Sequence, residues 1–282
     1  MTEPTIRTVS LPNGTTMPAL GMGTWYLGEQ PARHDTELAA LRTGIEIGLT
    51  LIDTAEMYGE GAAEELVGQA VADRRDDIYL VSKVLPHHAT RQGTVHACQA
   101  SLRRLGTDHL DMYLLHWQGR VPLAETVQGF EELVQAGLIG CWGVSNFDAP
   151  DLDRLVSVPG GDQVQTDQVL YNLGRRGPEY DLIPRCRQAG MPLMAYSPVD
   201  HGRLLEHSAV RDMATVKGVT PAQLAIAWVL RIPDVSVVAK ASTRAHVREN
   251  RAAMEISFSQ AELEQLEAMF PAPSSKEPLD ML

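Results

Sequence analysis

Along this chain short β-branched or apolar runs alternate with turns and with stretches of about ten to fifteen residues at helical spacing, and the unit recurs eight times. The strand-like runs fall at residues 20–23, 50–53, 78–84, 110–116, 141–145, 164–170, 192–197 and 235–240. Between them, Leu38, Leu41 and Ile45 share one helical face, Leu66, Val67, Ala70 and Val71 a second, and Phe130, Leu133 and Val134 another. Each stripe suits packing on a sheet. Gly48, Gly106, Gly137 and Gly190 fall near the expected helix ends, where a left-handed cap favours glycine. Eight such units without a break in composition predict one domain over residues 1–282, a closed parallel (β/α)8 TIM barrel.

Three segments stand outside the repeat. Residues 6–20 read as a β-hairpin around Pro12, Asn13 and Gly14, because Asn-Gly supplies the positive-φ positions of a tight turn. An insertion at 198–220 carries a short helix near 208–216. An extra amphipathic helix at 259–270, with Leu263, Leu266 and Phe270, precedes a Pro- and Ser-rich tail read as loop.

The 24 Lys and Arg against 36 Asp and Glu leave a net charge of −12. Such a surface repels polyanions and gains little from counterion release, so nucleic acid and anionic membranes are not expected partners. Cys98, Cys141 and Cys186 are odd in number, far apart and without paired metal spacing, which predicts free thiols in a reducing compartment and no metal site. The first ten residues lack an apolar signal core and no window reaches the about 18 apolar residues of a spanning helix, so a cytoplasmic protein is expected.

Barrels of this kind hold their chemistry at the C-terminal strand ends. There the sequence sets Asp53 after strand two, Tyr58 five residues on, Lys83 near the end of strand three and His116 at the end of strand four. Singly, each has an ordinary structural reading as a cap, a snorkelling lysine or a core histidine. Together at one mouth they form a candidate acid–base cluster. Ser145, Asn146, Gln168, Tyr196 and Lys240 end or occupy the remaining strands.

The stretches DTAEMYG, VSKV, LLHW, GVSNF and the segment from Lys240 to Asn250 resemble the aldo/keto reductases, over essentially the whole chain. Several elements, GTWYLGE and SLRRL among them, look closest to bacterial reductases of the methylglyoxal-reductase type. The resemblance implies reduction of aldehydes or ketones with NADPH, NADH binding more weakly, and no GxGxxG opens a βαβ unit here. Its tetrad maps onto Asp53, Tyr58, Lys83 and His116. A carbonyl receiving hydride needs a proton, and tyrosine, with an ordinary pKa of about 10, needs help to supply it near neutrality. An ammonium about 4 Å away contributes about 4 kcal/mol at a dielectric near 20, so Lys83 is expected to lower the Tyr58 pKa, with Asp53 keeping the lysine charged. His116 would orient the carbonyl oxygen.

By the same resemblance Ser145, Asn146 and Gln168 hold the nicotinamide carboxamide and Tyr196 stacks on the ring. Gly23, Thr24, Trp25, Asp53, Ser197, Pro198, Thr243 and His246 are further cofactor contacts, Glu249 and Asn250 meet the adenine, and Lys240 meets the 2′-phosphate. Here the sequence departs from the family pattern: Ala239 replaces a usual proline, Ala241 a serine and His246 an arginine. Arg244 or Arg248 is the expected compensation. Trp25, Tyr58, His116, Trp117 and the tail are expected to wall a pocket for small carbonyls or dicarbonyls such as methylglyoxal, in a monomer. Two alternatives remain open at this level: a Schiff-base lyase using Lys83 or Lys240, and a nicotinamide-binding regulatory subunit.

Overall fold

The computed structural model describes residues 6–282; residues 1–5, part of the segment read for a targeting signal, lie outside it. Eight parallel strands close in the order of the chain: β3 (Leu20–Gly23), β4 (Leu51–Asp53), β5 (Tyr79–Val84), β6 (Leu110–Leu115), β7 (Ile139–Ser145), β8 (Asp167–Leu170), β9 (Leu193–Tyr196) and β10 (Val235–Lys240), which pairs with β3. The expected barrel is therefore present, with strand limits shifted by a few residues. The largest shifts are in β7, which begins two residues early, and β8, which begins three residues late. Residues 161–163 form a 3-10 turn before β8.

The crossovers are α1 (His34–Glu46), α2 (Ala62–Val71), α3 (Arg91–Leu105), α4 (Leu123–Gln135), α5 (Ala149–Val156), α6 (Leu182–Gln188), and, between β9 and β10, α7 (Arg203–Glu206), α8 (Ser208–Lys217) and α9 (Pro221–Leu230). After β10 come α10 (Arg244–Ala252) and the additional α11 (Gln260–Met269). The apolar stripes read from sequence are buried against the barrel, except Leu38, which is only partly buried, and Val134, which turns outward at 39 % exposure while Phe130 and Leu133 fill the interface. Gly106 caps α3 at φ 64°, and the three other cap glycines also take positive φ.

The hairpin pairs β1 (Thr8–Ser10) with β2 (Thr16–Pro18). Of the two turn residues only Gly14 takes positive φ; Asn13 instead accepts from the Thr15 amide through its side chain, a local hydrogen bond that replaces the second left-handed residue. Its apolar side chains Val9, Leu11 and Met17 are buried, and the Arg7 guanidinium donates to the carbonyls of Leu230, Ile232 and Pro233 just before β10. The hairpin thus plugs the N-terminal end of the barrel and leaves the C-terminal mouth open. All three cysteines are free and buried, as expected. No single described helix is long and apolar enough to cross a membrane.

Candidate active site

Strand alternation decides which side chains enter the barrel. On β5, Ser82 points outward and donates to Glu64 of α2 at 2.6 Å, so its neighbour Lys83 points inward and is fully buried. On β8, Asp167 faces the helices and Gln168 the interior. The chain after β4 stays pinned along β5, with the Thr54 amide donating to Val81 and the Glu56 carboxylate accepting from the Leu85 amide. A turn through Gly59 and Glu60, both left-handed, then sets Tyr58 above Lys83.

The Lys83 ammonium donates to three oxygens: Asp53 Oδ2 at 2.8 Å, the Thr54 carbonyl at 2.9 Å and Tyr58 Oη at 3.1 Å. Three acceptors use the three N–H bonds of a charged lysine, one more than a neutral amine has. Burial pulls the Lys83 pKa down from its ordinary value, opposed by the charges of Asp53 and Glu64. The expected lowering of the Tyr58 pKa is not found. Burial, and then the Asp53 charge, hold the phenol well above its ordinary value, because losing the proton would leave a phenolate in a dry site. Tyr58 therefore stays protonated at neutral pH. Since its oxygen accepts from Lys83, and no acceptor for its proton is found among the described residues, the O–H is free for a partner in the cavity.

His116 lies one residue past β6, its amide donating to Val84. Its ring meets Tyr58 edge-on at 5.7 Å. Burial, and then the Lys83 charge, lower its pKa well below the ordinary histidine value, so the imidazole is neutral. Nδ1 is buried without a partner, which leaves Nε2 as the nitrogen for a cavity ligand.

Gln168 reaches across the barrel, its amide nitrogen donating to Asp53 Oδ1 at 2.8 Å and lying 2.7 Å from the Met194 sulfur. Its side-chain oxygen Oε1 has no partner among the described residues. Asn146, at φ 61°, donates to the His116 carbonyl and to Ser145 Oγ and accepts from the Tyr196 hydroxyl at 2.9 Å. Ser145 in turn donates to the Gln168 backbone carbonyl at 2.7 Å. Four of the six non-glycine residues with positive φ, Tyr26, Asn146, Ser197 and His201, line the mouth, where strained backbone commonly gathers.

One cavity of about 670 Å³ joins these strand ends to the segment after β10. Every site residue named from sequence lines it except two. Lys83 sits behind Tyr58, and Thr243 uses its hydroxyl to cap α10 by accepting from the His246 amide. Arg244 and Arg248 are also elsewhere, on the α1 side of α10 with Asp35 and Glu46. Sequence reasoning named neither Tyr26, which stacks on Trp25 at 4.6 Å, nor His201, edge-on to Trp25 at 5.3 Å. The left-handed φ of both comes from loop geometry that no local motif announces. Met281 and Leu282 also line the cavity, so the tail does return over the mouth, held by Arg175 to Asp280 at 3.0 Å.

The residues fit a nicotinamide dinucleotide: a free amide oxygen on Gln168 and the Tyr196 aromatic side chain at one part of the cavity, and the Lys240 ammonium at another. The buried ammonium–phenol pair thus lies beside a neutral histidine at the wall of the same cavity. Residues 19–270 match the aldo/keto reductase family model, and the chain belongs to that family of oxidoreductases. It is 51 % identical over 271 residues to methylglyoxal reductase YeaE of Escherichia coli strain K12, covering 94 % of this chain and 95 % of the relative. An aldo/keto reductase from Klebsiella pneumoniae, solved with NADP and acetate, superposes with a TM-score of 0.95 at 50 % identity, covering 98 % of this chain and all of that one. The thermostable aldo-keto reductase Tm1743, solved with the inhibitor epalrestat, superposes at a TM-score of 0.86 with 39 % identity, covering 94 % of this chain and 100 % of that one.

Proposed function

We propose that this chain, acting as one domain, reduces small aldehydes, ketones and dicarbonyls of the methylglyoxal kind to alcohols with NADPH. The observation that carries the reading is the Lys83 ammonium donating to Tyr58 Oη, which leaves the phenol proton as the one free to enter the cavity. A bound nicotinamide supplies hydride to the carbonyl carbon. Tyr58 gives its proton to the carbonyl oxygen as the C–O π pair becomes an alkoxide pair, and the ammonium at 3.1 Å offsets the phenolate charge that remains. Asp53 and the Thr54 carbonyl fix the lysine. His116, neutral, donates from Nε2 to the same oxygen. Ser145, Asn146 and Gln168 hold the carboxamide, Tyr196 covers the ring, Trp25 and Trp117 wall the substrate, and Lys240 pairs with the 2′-phosphate. A Schiff-base role for Lys83 is disfavoured, since its nitrogen is spent on three acceptors and does not reach the cavity.

The reading is tested by following nicotinamide absorbance with NADPH or NADH and a panel of small carbonyls. Tyr58→Phe keeps the ring and removes the proton donor, so turnover should fall by about 10²–10⁴-fold with cofactor affinity nearly unchanged. Retention of more than about a tenth of wild-type turnover would reject Tyr58 as the acid.

A further inference from the structure

Three positions near Lys240 depart from the family pattern, and the two arginines expected to compensate face away from the cavity on the α1 side of α10. A different cation, itself just outside the lining of the cavity, lies against the segment that follows Lys240. Arg33 comes from the loop between β3 and α1, more than 200 residues earlier in the chain, and its guanidinium donates to Ser242 Oγ at 3.0 Å, two residues past Lys240. Its Nε lies 3.4 Å from the Glu37 carboxylate, whose side chain is buried and whose other oxygen accepts from the Gly28 amide. Arg33 is thus held on two sides, at 46 % side-chain exposure, with N–H groups to spare. Burial lowers the Lys240 pKa, and Arg33 is close enough for its charge to lower it further, while Glu37 and Glu29 act in the opposite sense.

We infer that Arg33, with Ser242, completes the 2′-phosphate site around Lys240 and sets the preference for NADPH over NADH. The inference rests on the dinucleotide reading above and adds to it a residue from the opposite end of the sequence. The chemistry is that of a planar guanidinium beside an ammonium: the fork donates to two phosphate oxygens while the lysine contributes a point charge. NADH carries a hydroxyl at that position and gains little from either. The Glu37 carboxylate neutralises part of the Arg33 charge and keeps it in place when no phosphate is bound.

The test compares dissociation constants of NADPH, NADH, 2′,5′-ADP and 5′-ADP for wild type, Arg33→Gln, Arg33→Lys and, as a control, Arg248→Gln. Losing charge-assisted hydrogen bonds should weaken NADPH and 2′,5′-ADP by about tenfold or more in Arg33→Gln, with NADH and 5′-ADP within about twofold. Arg33→Lys should recover part of the loss, and Arg248→Gln should match wild type. Equal weakening of all four ligands would overturn the inference, because Arg33 would then act only through the Glu37 loop. An unchanged NADPH-to-NADH ratio in Arg33→Gln would overturn it too. Wild type that binds neither dinucleotide would instead defeat the reading on which the inference rests.

Discussion

Replacing Lys83 by methionine, which has similar reach and no charge, strips donors from three oxygens at once: Asp53 Oδ2, the Thr54 carbonyl and Tyr58 Oη. The Asp53 side chain is only 4 % exposed, so its charge would be left buried with one remaining donor, the Gln168 amide. Breaking a buried ion pair in this way costs about 3–5 kcal/mol, a large share of a total stability of about 5–15 kcal/mol. At about 2 °C per kcal/mol for a chain of this length, the melting temperature should drop by about 6–10 °C. Denaturant unfolding followed by the fluorescence of the four tryptophans measures the loss, and turnover is assayed on the same samples. The second variant, Lys83→Met with Asp53→Asn, removes the stranded charge and should recover about 2 kcal/mol of stability without recovering turnover. A single variant within about 1 kcal/mol of wild type, or a double variant whose losses simply add, would refute the claim that the pair is a dry, charged unit.

Two further outcomes follow from the same structure. Deleting residues 275–282 removes Met281 and Leu282 from the cavity wall, and should raise KM for bulky aldehydes more than for the smallest dicarbonyls; the melting temperature should hardly move, because the ion pairs anchoring the tail are exposed. An unaltered substrate profile would remove the tail from the pocket. Asp167 is buried with Oδ2 unpartnered, and burial, reinforced by Asp148, raises its pKa well above 3.8. Between the unfolded and the raised folded value the folded state binds more protons, so stability falls as pH rises through that window, and Asp167→Asn should gain on wild type from about pH 4 upward. A gap between the two proteins that stays constant with pH would show that the carboxyl ionises freely.

The barrel was legible because the strand-helix alternation is local and repeats, and the cluster of Asp53, Tyr58, Lys83 and His116 because each member stands at a countable distance from a strand end. What stayed hidden depends on neighbours distant in sequence. The depth of Lys83 behind Tyr58 is set by how Thr54 to Glu56 run along β5, and the sense of the Tyr58 pKa follows from that burial, which a pairwise charge argument omits. Thr243 stands in the cofactor segment by position, yet a threonine just before a helix is first of all a cap. Val134 shows the same limit. Its spacing fits the apolar stripe, but the groove it would fill is taken by Phe130 and Leu133. Arg33 lies in a segment whose sequence gives no sign of Ser242, so only closure of β10 on β3 brings the two together.

β8 and β4 stand on opposite sides of the eight-strand ring, yet the Gln168 amide and the Asp53 carboxylate meet at 2.8 Å across its interior. The buried polar groups at the strand ends are therefore braced like a keystone from strand to strand, beneath loops and a tail that take no part in the bracing. Tyr26, His201, Met281 and Leu282 line the cavity without joining that bracing, so exchanging them leaves the layer beneath undisturbed. Under the function proposed above, changes confined to these rim residues would alter what enters the mouth while the cross-barrel bracing stays as it is.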